Sequence, residues 1–129
     1  MRLHIAMISD HASPLEVMGG VDAGGQNLYV DQVARRLGAM GHAVDVFTRR
    51  TSPAQATAVD LAPNVRVIHV PAGPDHAVPK EELLPYMGDF SRWLVDFARQ
   101  QPQPYDISHA NFFMSGMASM ALRRSLGVP

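Results

Sequence analysis

Residues 24–48 read GGQNLYVDQVARRLGAMGHAVDVFT, and this stretch decides the fold. Val30, Val33, Ala34 and Leu37 recur at helical spacing, with Asp31, Gln32, Arg35 and Arg36 between them, which predicts an amphipathic helix over residues 26–40. Gly41 suits the turn that ends such a helix, and residues 43–48, rich in Val and Phe, read as a strand. Upstream, residues 3–9 form a short, continuous apolar run bounded by Asp10 and Pro14, the pattern of a buried strand. Strand, helix, strand at this spacing specifies a parallel pair joined by a right-handed crossover.

The same alternation continues outward. Residues 49–63 lack periodicity and read as a loop, and residues 65–70 as a third strand closed by Pro71-Ala72-Gly73-Pro74. Residues 75–84 carry no decisive pattern. Pro85 fits the first turn of a helix that turns Met87, Phe90, Leu94, Val95, Phe97 and Ala98 toward a core, stopped by Gln101-Pro102-Gln103-Pro104. A short fourth strand is expected over residues 105–109, a turn over 110–115, and a third helix over 116–125 capped by Gly127. The reading is a single α/β domain over residues 1–129, a Rossmann-like parallel sheet with flanking helices. Gly127-Val128-Pro129 is how a helix-to-strand connection begins, so the expectation is a partial domain with one edge or face poorly covered.

Composition narrows the function classes. Eleven Lys+Arg against twelve Asp+Glu give a formal charge of −1, without the basic field of a nucleic-acid binder. With 0 cysteines, disulfides, thiolate metal sites and thiol nucleophiles are excluded, and the six histidines show no metal-ligand spacing. No apolar run approaches a membrane span, and the first residues are too short and interrupted for a signal peptide, so a cytoplasmic location is expected. Lys80 is the single lysine; every other basic residue is Arg.

In open α/β sheets ligands bind beyond the carboxyl ends of the strands, and three segments meet that criterion. The first is Gly19-Gly20-Val21-Asp22-Ala23-Gly24-Gly25-Gln26-Asn27, where glycine backbone runs into a helix N-terminus with unpaired N–H groups, a setting for a phosphate. A flexible turn would also use those glycines. The spacing is not G-x-G-x-x-G, the second strand ends in Thr48-Arg49-Arg50 without an acidic ribose ligand, and Asp45 comes too early, so a dinucleotide site is excluded. The second segment carries Lys80, a flexible point charge for phosphate or else a solvated lysine beside Glu81 and Glu82. The third is His109-Ala110-Asn111-Phe112-Phe113-Met114-Ser115-Gly116, where polar groups and aromatic faces suit a sugar, although the aromatics could equally be core. His11 draws attention only because it begins the glycine-containing loop.

Taken together, Asp22 to Val30, then Gly41 to Arg49, Ala72-Gly73-Pro74 with Lys80, and His109 to Gly116 resemble the opening of retaining group 1 (family four) glycosyltransferases. The similar branches are sucrose-phosphate synthase and the inositol-phosphate N-acetylglucosaminyltransferase of mycothiol synthesis. The resemblance implies a GT-B fold of two Rossmann-like halves, of which this chain would span most of the acceptor-binding half and none of the nucleotide-sugar half. It implies sugar transfer with retention, without a metal or other cofactor, from a nucleotide sugar (a UDP-sugar) to a small sugar or polyol, phosphorylated as in those branches. By position it assigns Gly24 and Gly25 to the diphosphate and acceptor, Gln26 and Asn27 to acceptor hydroxyls, and Lys80 to an acceptor phosphate. Phe112 joins the acceptor site, and His109 and Asn111 take the catalytic positions of this half. Asn111 stands where many members carry histidine, and Phe112 where the inositol-phosphate enzymes carry a tyrosine whose hydroxyl helps bind phosphate. Phe112 lacks that hydroxyl, and Gln26 favours the sucrose-phosphate side. Alone, the fragment is expected to transfer no sugar; the alternative is a non-catalytic sugar-phosphate binding module with the same half fold.

Overall fold

The computed structural model describes residues 1–16 and 25–129. Five strands form one sheet: β1 (His4–Ile8), β2 (Ala43–Arg49), β3 (Ala58–Ala62), β4 (Val65–Val70) and β5 (Ile107–Ala110), in the order β3-β4-β2-β1-β5. β4, β2, β1 and β5 are parallel, with Ile5 opposite Val44 on one side and Ile107 on the other. β3 pairs antiparallel with β4 at the edge, with an irregularity between Asp60 and Ala62. Three helices cover the sheet: α1 (Gly25–Ala39), α2 (Met87–Gln100) and α3 (Phe113–Leu126).

Strand periodicity sorts the side chains into two layers. Ile5, Met7, Val44, Val46 and Val65 pack against Val30 and Ala34 of α1. Their alternates Ala6, Ile8, Phe47 and Ile68 pack against Phe90, Leu94, Met114 and Ala118 of α2 and α3. Gly38 lets α1 lie close to β4: a Cβ there would stand 2.5 Å from Val65 Cγ2 and 2.9 Å from the Pro63 carbonyl. That approach buries the amino end of β4 beneath the last turn of the helix.

The α/β class and the order of the long elements are as expected, and three details differ. The segment read as a loop contains β3, whose sequence Ala58-Val59-Asp60-Leu61-Ala62 has no buried residue, so alternation is weak and its pairing depends on β4. Residues 80–86 form two 3₁₀ turns, Lys80–Glu82 and Leu84–Tyr86, and Pro85 belongs to the second of these rather than to α2. α3 begins at Phe113, because Phe112 is extended and the Gly116 N–H already reaches the Phe112 carbonyl at 2.8 Å.

The amino ends of the parallel strands are tied by one polar cluster. The buried Asp45 carboxylate accepts from Arg66 Nε at 2.8 Å, Arg66 Nη2 at 2.7 Å and the Tyr105 hydroxyl at 2.6 Å, with His4 Nε2 3.4 Å away. Asp45 is therefore part of the scaffold. Its hydrogen bond and charge raise the Arg66 guanidinium above its usual range, and burial, with Asp45 beside it, pushes the Tyr105 phenol up. Ile107 on β5 and Phe113, Met117 and Met120 on α3 are exposed. Among the described residues no helix is long and apolar enough to cross a membrane.

Candidate functional site at the carboxyl ends of the strands

Following each parallel strand to its carboxyl end leads to one place. The chain leaving β1 carries Asp10, His11 and Ala12; the chain leaving β5 carries Asn111 and Phe112; and the chain leaving β4 returns as the turn that begins at Lys80. With the first turn of α1 they enclose a cavity of about 260 Å³, lined by His11, Gly25, Gln26, Asn27, Lys80 and Phe112 among others. A second hollow of about 80 Å³ adjoins it, sharing His11 and Val78 and reaching Asp10, Thr48 and Arg49. Three loops far apart in sequence thus converge because the sheet is parallel and its carboxyl ends lie together.

The cavity's cationic side is built by Lys80 and the start of α1. Lys80 is exposed, and among the described residues it forms no ion pair within 4.0 Å, although Glu81 and Glu82 follow it directly. Gly25, Gln26 and Asn27, the first turn of α1, line the same cavity, and that turn is the positive end of the helix. Both features favour an anion between them. Gln26 is exposed, whereas Asn27 is buried and its Nδ2 donates to the Ser13 carbonyl at 3.0 Å, so that amide also holds the β1 loop to the helix.

The loop that runs from β4 toward Lys80 is gathered by Arg49, at the end of β2. Its buried guanidinium donates to the carbonyls of Ala72 at 3.2 Å, Pro74 at 2.7 Å and His76 at 2.7 Å, gathering residues 72–76 under one planar fork. Burial lowers its pKa from the ordinary arginine value, while Tyr86 and Asp75 raise it, and arginine retains its charge at any physiological pH. Gly73 turns the loop with φ +76°, and a Cβ there would meet the Tyr86 ring at 2.8 Å. Only glycine fits both demands.

The aromatic side is made by His11 and Phe112, whose ring centroids are 4.0 Å apart at 34°. His11 Nδ1 lies 2.8 Å from Asp10 Oδ2, and Asp10 is wholly buried. The Asp10 N–H donates to Ser115 Oγ at 3.0 Å, and the Ser115 hydroxyl donates in turn to Asp10 Oδ1. Ser115 itself is fully buried in the first turn of α3.

Of the residues singled out in the sequence, the fold brings Gly25, Gln26, Asn27, Lys80 and Phe112 to the cavity, with His11. Gly24 lies outside the described residues, as do Gly19, Gly20, Val21, Asp22 and Ala23. Gly25 does not adopt a positive φ, and a Cβ there would meet no described atom within 4 Å, so its backbone strains toward no special conformation. Asn111 sits at the junction instead of lining the cavity: its backbone N–H and its Nδ2 both donate to the Ile8 carbonyl, at 3.1 and 3.0 Å. His109 is exposed on β5, opposite Met7 in register, and is not among the residues that line the cavity. Asp10 and Arg49 were given no role in the site, nor was Ser115, although it lay in the third segment. Asp10 offered a signal, since it directly follows a strand and precedes His11; the carbonyls that Arg49 would gather could not be read from spacing. Among the described residues no group of three or more His, Asp or Glu is placed to hold a metal.

Residues 24–129 match the family described as glycosyl transferase 4-like domain. The chain is 43% identical over 128 residues to a D-inositol 3-phosphate glycosyltransferase of Corynebacterium kroppenstedtii, covering 99% of this chain and 28% of the relative. It is likewise 43% identical over 126 residues to the enzyme of the same name from Nocardiopsis dassonvillei, covering 97% and 29%. Among solved structures, sucrose-phosphate synthase from Thermosynechococcus elongatus superposes with a TM-score of 0.88 at 34% identity, covering 97% of this chain and 31% of that one. The chain therefore spans under a third of the length of each of these proteins.

Proposed function

Because the chain belongs to the glycosyl transferase 4-like domain family, we propose that it is the acceptor-binding part of an enzyme that moves a sugar from a nucleotide sugar to a small phosphorylated polyol or sugar. The observation that carries this reading is the cavity itself, where a lysine with no ion pair among the described residues and the start of α1 adjoin a polar and aromatic wall. An acceptor phosphate would sit between Lys80 and the first turn of α1, where two positive poles meet. Hydroxyls of the same molecule would reach the exposed Gln26 amide and the His11 imidazole, and its ring face would rest on Phe112. Relatives on both sides of the similarity, the inositol 3-phosphate enzymes and sucrose-phosphate synthase, are consistent in name with a phosphorylated small molecule.

The reading extends to the rest of the reaction. The nucleotide sugar, a UDP-sugar, would be held mainly by a second Rossmann-like half, with its diphosphate near Gly24 and Gly25. Transfer would proceed with retention and without a metal, the acceptor hydroxyl attacking the face that the diphosphate leaves. His109 and Asn111 enter here as the catalytic candidates of this half, through the strand end and loop that they occupy.

Lys80→Gln tests the phosphate site. In the whole enzyme it should raise KM for inositol 3-phosphate or fructose 6-phosphate by at least tenfold, because one charge-assisted contact worth roughly 1.5–3 kcal/mol is lost. The unphosphorylated forms should be nearly unaffected. Equal losses on both would mean that Lys80 supports the loop and binds no phosphate.

A further inference from the structure

Asp10 has no place in the phosphate site, yet it is wholly buried and directs two hydrogen bonds with defined polarity. The Ser115 hydroxyl receives the Asp10 N–H, so its own hydrogen goes to Asp10 Oδ1. That leaves Asp10 Oδ2 to accept from His11 Nδ1, because an ionised carboxylate has no hydrogen to give. The imidazole must then carry its hydrogen on Nδ1. Its Nε2 makes no hydrogen bond to any described residue, and the ring lines the cavity with one face on Phe112. A neutral imidazole in that tautomer presents a lone pair, which can only accept.

We infer that Asp10 is a positioning residue that locks His11 in the Nδ1–H tautomer, so that Nε2 accepts a hydrogen bond from a hydroxyl of the bound sugar or polyol. The inference rests on the acceptor reading of the cavity and divides its labour. Lys80 and the α1 N-terminus recognise the anion, whereas the Asp10–His11 pair recognises a hydroxyl donor. Ser115 completes the device: by occupying Oδ1 as a donor, it fixes which carboxylate oxygen faces the histidine.

Asp10→Asn inverts the device without changing its shape. With its Oδ1 still accepting from Ser115, the new amide nitrogen faces His11 and donates to Nδ1, forcing the imidazole hydrogen onto Nε2. Long-range proton–nitrogen NMR of the histidine rings in the whole polypeptide should show His11 as Nδ1–H in the wild type and Nε2–H in Asp10→Asn. An Nε2–H or averaged His11 in the wild type would overturn the inference. Calorimetric titration with inositol 3-phosphate, fructose 6-phosphate and inorganic phosphate reads the second half. Asp10→Asn should weaken at least one sugar phosphate tenfold or more and leave inorganic phosphate unchanged, whereas Lys80→Gln should weaken both.

His11→Phe keeps the ring stack on Phe112 and the Asp10–Ser115 contact but removes Nε2. It should reproduce the same loss, and the double variant Asp10→Asn/His11→Phe should bind no worse than His11→Phe alone. Additive losses, or an equal loss on inorganic phosphate, would show that Asp10 acts on the fold and not through His11. If none of the three probes binds the wild type, both the cavity reading and the hydroxyl contact fail, and the tautomer assignment is still decided by the spectra.

Discussion

Gly25 and Lys80 face one cavity for different physical reasons, and substitutions separate them. A Cβ at Gly25 would meet no described atom within 4 Å and relieve no strained φ, so Gly25→Val should alter stability by no more than about 0.5 kcal/mol. Its branched carbons would instead stand where a ligand must approach the helix backbone. In the whole enzyme, Gly25→Val should therefore reduce kcat/KM more than Lys80→Ala, which forfeits one contact of roughly 1.5–3 kcal/mol. Steady-state kinetics beside thermal unfolding would check this; the opposite ranking would mean that nothing approaches the backbone there. The placement of Lys80 at the cavity was legible in the sequence because it follows a strand's carboxyl end. Asn111 and His109 were equally conspicuous, but spacing cannot tell that Asn111 bonds back to the Ile8 carbonyl or that neither residue lines the cavity.

At the scale of elements, the loop from β4 to α2 matters most, since it delivers Lys80. Arg49 holds it by three carbonyls, and lysine in its place would keep the charge but could not span them. Arg49→Lys should cost about 1–3 kcal/mol for the buried acceptors left unpaired, measured by urea unfolding. It should also weaken phosphate affinity, because Lys80 rides on the released loop; unchanged affinity would separate the clamp from the site. The helices and parallel strands were legible because each carries its own apolar period, as α1 and α2 do. β3 was not, because an exposed edge strand of five residues borrows its regularity from β4. The 3₁₀ turns around Pro85 were equally hidden, since they are held by Leu83 and Met87 packing into the core and not by any local repeat.

For the molecule as a whole, the parallel sheet separates a bonded end from a binding end. Tyr105, at the bonded end, has a phenol held above its ordinary value of 10.0 by burial first and by the Asp45 carboxylate second. Unfolding returns it to that value, so the stability it supplies is complete below about pH 10 and declines as pH rises beyond it. Tyr105→Phe should lose up to roughly 1.5–3 kcal/mol at neutral pH, the worth of a hydrogen bond to a charged group, and should show a shallower decline at alkaline pH. Denaturant unfolding at pH 7 and near pH 10.5 would measure both, with little interference from lysine because there is only one. An unchanged alkaline slope would mean that the phenol is not the titrating group.

The Asp45 cluster and the cavity share no hydrogen bond among the described residues, and they stand toward opposite ends of strands five to seven residues long, roughly 13–20 Å at 3.3 Å per residue. Free-energy changes from substitutions at the two ends should therefore sum to within about 0.3–0.5 kcal/mol, as Tyr105→Phe combined with Lys80→Gln would show. Selection or an engineer can thus rewrite what the loops recognise while the interlocked strand starts preserve the scaffold, and a thermally hardened version of that end would tolerate bolder changes of specificity at the other.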